Sequence, residues 1–221
     1  MLSIENTEIV GWEQAIRGMR NPMNSWKKSD SEQKFESAHD LTGRYYEVGP
    51  NDLSLMTKLR NAGTDHRKFM RMLVVYLDVI APLYWWKEMD TYKVGTVTNS
   101  CSTMHKIQEK EFAIDDFSHE HMDVLTLDVM TQHIIPTLNI YRKLFCGIES
   151  GTRKDQKSDW WQMIQLLPSS YNQRRTVMLN YEVLANIHKS RRNHKLDEWI
   201  SFCGWIETLP HFKEIMSADK N

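Results

Sequence analysis

Apolar positions along the 221-residue chain recur mostly at helical spacing. Trp12, Ile16 and Met19 mark a first helix that ends near Asn21 and Pro22, and the polar stretch that follows, Ser25 to Thr42, reads as a surface loop. Asn51 or Asp52 can cap a helix carrying Leu55, Met56, Leu59 and Ala62, with Gly63 where a helix C-terminus favours a left-handed residue. From Phe69 to Trp86 almost every residue is apolar, Arg71 and Asp78 excepted, which predicts a strand leading into a helix with Pro82 at a bend. The short run Lys93 to Thr98 alternates in a β-compatible way.

Asp115, Asp116 and Ser118 precede a long helical pattern of Met122, Leu125, Val129, Ile134, Leu138, Tyr141 and Phe145. Pro136 interrupts it and Gly147 closes it, so it predicts two helices or one kinked helix. A polar connector over Ser150 to Ser158 leads to a Trp160-Trp161 segment, a break at Leu167-Pro168, a helix from about Asn172 through Lys189, and a last helix from Leu196 to Thr208 that stops before Pro210. The fold class read from this is α+β: helix-rich, with a small central sheet flanked by helices, in a single domain over 1–221.

Composition narrows the partners. A formal net charge of -1 rules out a globally basic coat for a nucleic-acid polymer. No stretch approaches the ~20 apolar residues that cross a bilayer, so no membrane partner is expected. Cys101, Cys146 and Cys203 are odd in number and widely spaced, matching neither a disulfide framework nor a zinc site, and with no secretory signal at MLSIENTEIV the expected setting is cytoplasmic. His119-Glu120-His121 with Asp123 lacks the spacing of a metal motif, and no metal is assigned.

Charge is uneven along the chain. Between Tyr171 and Lys195 stand Arg174, Arg175, Lys189, Arg191, Arg192 and Lys195 against Glu182 alone, so an anion could bind there, although a solvated helix face gives the same pattern. On an unbroken helix Asn180, Leu184, Ile187 and Arg191 would share one stripe, since eleven positions return to within about 20°. An amide and a guanidinium bracketing two apolar residues could grip the rim of a flat heterocycle and cover its face; an ordinary amphipathic helix is the alternative. Tyr84-Trp85-Trp86 is read as core before anything else.

These residues carry a family likeness. Leu167-Pro168 followed by Asn180, Leu184, Asn186 and Arg191 resembles the C-terminal region of the flavin-dependent thymidylate synthases, and His66-x-x-Phe69, after Gly63 and Asp65, is similar to that family's run-in to its central strand. The resemblance implies FAD contacts at Asn180, Asn186, His66 and Lys87, with Arg191 on the ring of deoxyuridylate (dUMP) as the catalytic residue. It implies transfer of a one-carbon unit from methylene-tetrahydrofolate to C5 of dUMP or a related pyrimidine nucleotide, with reduced FAD giving hydride, in a homotetramer.

The departures bear on the same site. The family's arginine-rich signature would begin at Trp85 or Trp86, where Trp86-Lys87-Glu88-Met89-Asp90-Thr91-Tyr92-Lys93-Val94-Gly95 stands instead, and the arginine expected two residues after the first asparagine is Glu182. One lysine does not reproduce the bidentate grip of arginine on phosphate. Arg174, Arg175, Lys93 and Arg192 are the candidate replacements for substrate binding, and the hydroxyl-rich run Asn99 to His105 offers either a new polar lining or a capped turn. A catalytically silent protein that binds and sequesters or senses nucleotides is the alternative function.

Overall fold

The computed structural model describes residues 2–37, 40–148 and 156–217. It is a helix-rich α+β chain with a small sheet. Its strands are β1 (Ser3–Val10), β2 (Glu32–Ser37), β3 (Asp40–Glu47), β4 (Val74–Pro82), β5 (Val97–Ser100) and β6 (Asn172–Asn180). Its helices are α1 (Trp12–Arg20), α2 (Pro50–Asn61), α3 (Leu83–Met89), α4 (Thr103–Lys106), α5 (Val124–Val129), α6 (Ile135–Phe145), α7 (Gln156–Leu166), α8 (Tyr181–Arg191), α9 (Asp197–Ile206) and α10 (Phe212–Met216). Four strands form one sheet in the order β1-β4-β6-β5, and β2 and β3 pair antiparallel as a separate hairpin.

Close contacts divide the chain into two compact units, and β1, β4 and β6 each pass from one into the other. The first unit comprises 2–5, 78–91 and 98–176, within the described residues. Its core joins Ile107, Phe112 and Phe117 to Met130, Ile135, Leu138 and Met163. Asn139 is buried there because its amide closes both backbone groups of Phe112, accepting from the N–H at 2.8 Å and donating to the carbonyl at 2.9 Å. A single π-helical turn over Met130–Ile134 joins α5 to α6 directly ahead of Pro136, whose ring removes one donor from the continuous helical ladder. Trp85 and Trp86 are core, as read from the sequence, and Trp86 donates its indole N–H to the Gln173 carbonyl at 3.0 Å.

The second unit comprises 6–77, 92–97 and 177–217, within the described residues. Ile16, Met56, Phe69, Leu73, Leu77, Leu179, Leu184, Ile187, Trp199 and Phe202 are buried in it. Arg20 and Asp52 form a buried ion pair at 2.6 Å. Asp52 also accepts from the Ser29 and Ser31 hydroxyls, each at 2.7 Å, and from the backbone N–H groups of Asp30 and Ser31, which ties the chain leading into β2 to α2. Burial opposes the charge on Asp52, but these hydrogen bonds outweigh it and hold the carboxyl below its usual range.

Three expectations change. The polar stretch 25–42 is not one loop: β2 runs through it and β3 begins at Asp40, with residues 38 and 39 outside the described set. Glu32, Gln33 and Phe35 are exposed on β2, and Glu32 to Ser37 shows no apolar alternation that would mark a strand. The helix expected from Asn172 is a strand up to Asn180 and a helix only from Tyr181. Gln173, Val177 and Leu179 are buried at even spacing, a two-residue period that outweighs the helical pattern. β1 was not expected at all; the connector 150–158 lies outside the described residues up to 155, and α7 begins at Gln156.

Candidate functional site

In the second unit the site is built on α8. Asn180 is its N-cap: the side-chain oxygen accepts from the Val183 N–H at 3.1 Å, replacing a bond the first helical turn cannot make. Leu184 and Ile187 are fully buried, so the apolar part of the stripe serves the core and does not cover a ligand face. Asn186 is exposed on the same helix, and His66 is exposed ahead of the 3-10 turn Arg67–Arg71 that feeds β4.

Arg191 closes the other end of α8. Its Nε donates to the Tyr92 hydroxyl at 3.0 Å, and its guanidinium lies 4.9 Å from the Trp199 ring centre and 5.8 Å from that of Tyr92. The two rings meet edge to face, with centres 6.0 Å apart. The side chain is half-buried. A guanidinium held between aromatic faces gains cation–π attraction and a fixed plane.

The segment 92–97 thus touches both ends of α8. Gly95 has φ 75°, and a Cβ there would stand 2.8 Å from Nδ2 of Asn180, so only glycine lets this backbone press against the amide. Tyr92, Gly95 and Trp199 were missed as site residues in the sequence. Tyr92 and Gly95 lie inside the altered signature. No spacing along the chain links Trp199 to Arg191, since α8 ends at Arg191 and Trp199 stands on α9.

Glu182, which stands where the family has arginine, accepts from Nε of Arg67 at 2.9 Å and from Nε of Arg71. Burial raises its pKa, but the hydrogen bonds from Arg71 and Arg67 outweigh that and hold the carboxyl below its ordinary value. Lys93 is exposed.

In the first unit Lys87 is exposed on α3. Arg174 is paired with Glu5 at 2.6 Å and with Asp78 at 3.4 Å. Arg175 is paired with Asp90 at 2.8 Å, donates to the Gln173 side chain at 3.0 Å, and lies 4.2 Å over the Trp86 ring. Both arginines are therefore matched by carboxylates of this chain. The run Asn99 to His105 passes from the end of β5 into α4, where the Ser102 hydroxyl caps the helix by accepting from the His105 N–H at 3.1 Å. It also borders a recess of about 90 Å³, too small for a nucleotide, since ligand pockets run from about 300 Å³ upward. His119 bonds the Phe117 carbonyl at 2.8 Å, and among the described residues no three His, Cys, Asp or Glu side chains gather as metal ligands.

No protein-family model matches the chain, and no curated protein does. Two solved structures of flavin-dependent thymidylate synthase ThyX from Helicobacter pylori, both with FAD and dUMP, share its fold with TM-scores of 0.65 and 0.64. Identity is 14% in each, over 96% and 97% of this chain and 96% of theirs. At that identity the likeness establishes the fold: along nearly its whole length this chain is folded like these thymidylate synthases.

Proposed function

We propose that this chain acts on dUMP or a closely related pyrimidine nucleotide as a divergent thymidylate synthase-like flavoprotein. The reaction is transfer of a one-carbon unit from methylene-tetrahydrofolate to C5 of the base. The observation that carries this reading is Arg191, a half-buried guanidinium clamped by Tyr92 and Trp199 at the end of α8, on a fold shared over 96% of the chain with proteins solved with FAD and dUMP.

Arg191 donates to the carbonyl edge of the ring and stabilises charge as it develops there, a term that grows where water is excluded. Tyr92 and Trp199 orient it in advance, so little reorganisation is left for the reaction. Lys93 answers the nucleotide phosphate. The donor set of the second unit also fits FAD: the side chains of His66 and Asn186 are exposed and have no partner among the described residues. With the amide of Asn180 they suit the flavin's carbonyl and nitrogen edge, while Lys87 is a flavin contact by the resemblance alone. FAD when bound and reduced supplies the hydride. Assembly as a homotetramer, with sites completed between subunits, belongs to the same proposal.

One observation favours a second reading, a catalytically silent nucleotide binder. Arg174 and Arg175 are already neutralised by Glu5, Asp78 and Asp90, so the lost signature arginines are not replaced by them. Mass spectrometry of what the purified protein releases on denaturation separates the readings. Flavin together with a pyrimidine nucleotide, and thymidylate formed from dUMP and methylene-tetrahydrofolate, supports the enzyme. A colourless protein that binds dUMP without turnover supports the silent binder, and failure to bind dUMP or any other pyrimidine nucleotide overturns both.

A further inference from the structure

A cleft of about 900 Å³ opens in the second unit, and none of its lining residues belongs to α8 or to the segment 92–97. Its walls are aromatic: Trp12 from α1, Tyr45 and Tyr46 from β3, Trp205 from α9, and His211 just ahead of α10. Trp12 is only 8% exposed and Tyr45 is 47% exposed, so the cleft has a packed floor and an open lip. That floor is fixed. His211 holds φ 57°, its ring edge-on to Trp12 with centres 5.6 Å apart, and Gly11 at φ 97° lies so close to the Met72 carbonyl that a Cβ would stand 2.1 Å from its oxygen.

The charge of the lining selects the ligand. Among the described residues Glu13 is its one carboxylate, and neither a lysine nor an arginine lines the cleft. A phosphate or carboxylate would lose water there without gaining a cation, a cost of several kcal/mol on the order of that for burying an unpaired ion. Aromatic faces attract positive charge, and a carboxylate accepts two parallel N–H bonds from an amidine-like edge. The Glu13 carboxylate is more than half exposed, and its contact with Arg17 is loose at 3.8 Å.

We propose that this cleft is a separate ligand site for a flat heteroaromatic compound carrying an amine or amidinium edge, held among Tyr45, Tyr46 and Trp205 with that edge on Glu13. The Tyr46 phenol agrees: burial first, then the negative charges of Glu13 and Asp52, push its pKa up, so the cleft already sits in a negative field. The site is independent of the dUMP reading.

The test is calorimetric titration of the full chain with 2,4-diaminopteridine, a flat ring bearing such an edge, with dUMP as the anionic comparison. Saturable binding is expected, weakened at least tenfold by Glu13→Gln and several-fold by Tyr45→Ala, both surface changes. dUMP should not compete. Absence of saturable binding, equal affinity in all three proteins, or displacement by dUMP would each overturn the proposal. None of these outcomes depends on whether dUMP itself binds.

Discussion

The Tyr92 hydroxyl accepts a hydrogen bond from Nε of Arg191 at 3.0 Å across 99 positions of sequence. This pairing ties the segment that stands in place of the family's arginine signature to the residue expected to read the pyrimidine. It gives Tyr92 a role in orienting Arg191.

Tyr92→Phe keeps the ring and removes the acceptor. The donor is a guanidinium, and a hydrogen bond to a charged group is worth about 1.5–3 kcal/mol, about tenfold or more in affinity. The variant should bind dUMP about that much more weakly by calorimetry, with a melting temperature close to that of the parent. Arg191→Ala should abolish binding while the fold persists; unchanged affinity in that variant removes Arg191 from the site.

Gly95→Ala places a methyl 2.8 Å from the Asn180 amide at a backbone angle that favours glycine. The strain should cost about 1–2 kcal/mol, read by chemical denaturation. Because Asn180 also caps α8, ligand retention should fall together with stability. A fully stable Gly95→Ala protein would mean that the segment is free to move away from the helix.

Glu182 titrates below its ordinary value in the fold, so the native state favours its ionised form. The stability this adds is present above the unfolded carboxyl pKa of about 4.3 and is lost as pH falls through the lower folded value. Arg71 is half exposed, which screens the pair, and a loss of about 0.5–1 kcal/mol at pH 7 is expected for Glu182→Gln. Once the pH has fallen through the lowered folded pKa of Glu182, the variant and parent should converge in denaturation midpoint; a gap that widens in acid would contradict the pairing.

The Cys203 thiol is pushed up to about 11, by burial first and then by Glu207. Cys101 and Cys146 are exposed. Iodoacetamide at pH 8 should therefore label those two and spare Cys203 until the chain unfolds, as read by peptide mass spectrometry.

Local chemistry made several elements legible. The Gly63 stop after α2, the strand-to-helix passage through Pro82 and the interruption at Pro136 all follow from backbone rules acting within a few residues. β1 and the β2–β3 hairpin were not legible, because surface strands carry polar residues on both faces and show no apolar alternation. β6 was hidden by the helical spacing that continues past it into α8. At the site, Asn180 and Arg191 stood out because their residue types are chemically marked. Tyr92 and Gly95 did not, since their importance lies in what they touch, Arg191 at 99 positions and Asn180 at 85 positions along the chain, and only the fold supplies that. The acids that claim Arg174 and Arg175 are equally remote, at Glu5, Asp78 and Asp90.

Neighbouring positions of a strand look to opposite sides of their sheet. On β6, Arg174 shares Asp78 with Thr176, whereas Arg175 shares its side with Gln173 and Trp86. The Arg-Arg doublet, so suggestive of a two-pronged grip when read as letters, is split by the pleat: no single oxyanion can sit between both prongs, and doubling the charge in sequence does not double it at any one point in space.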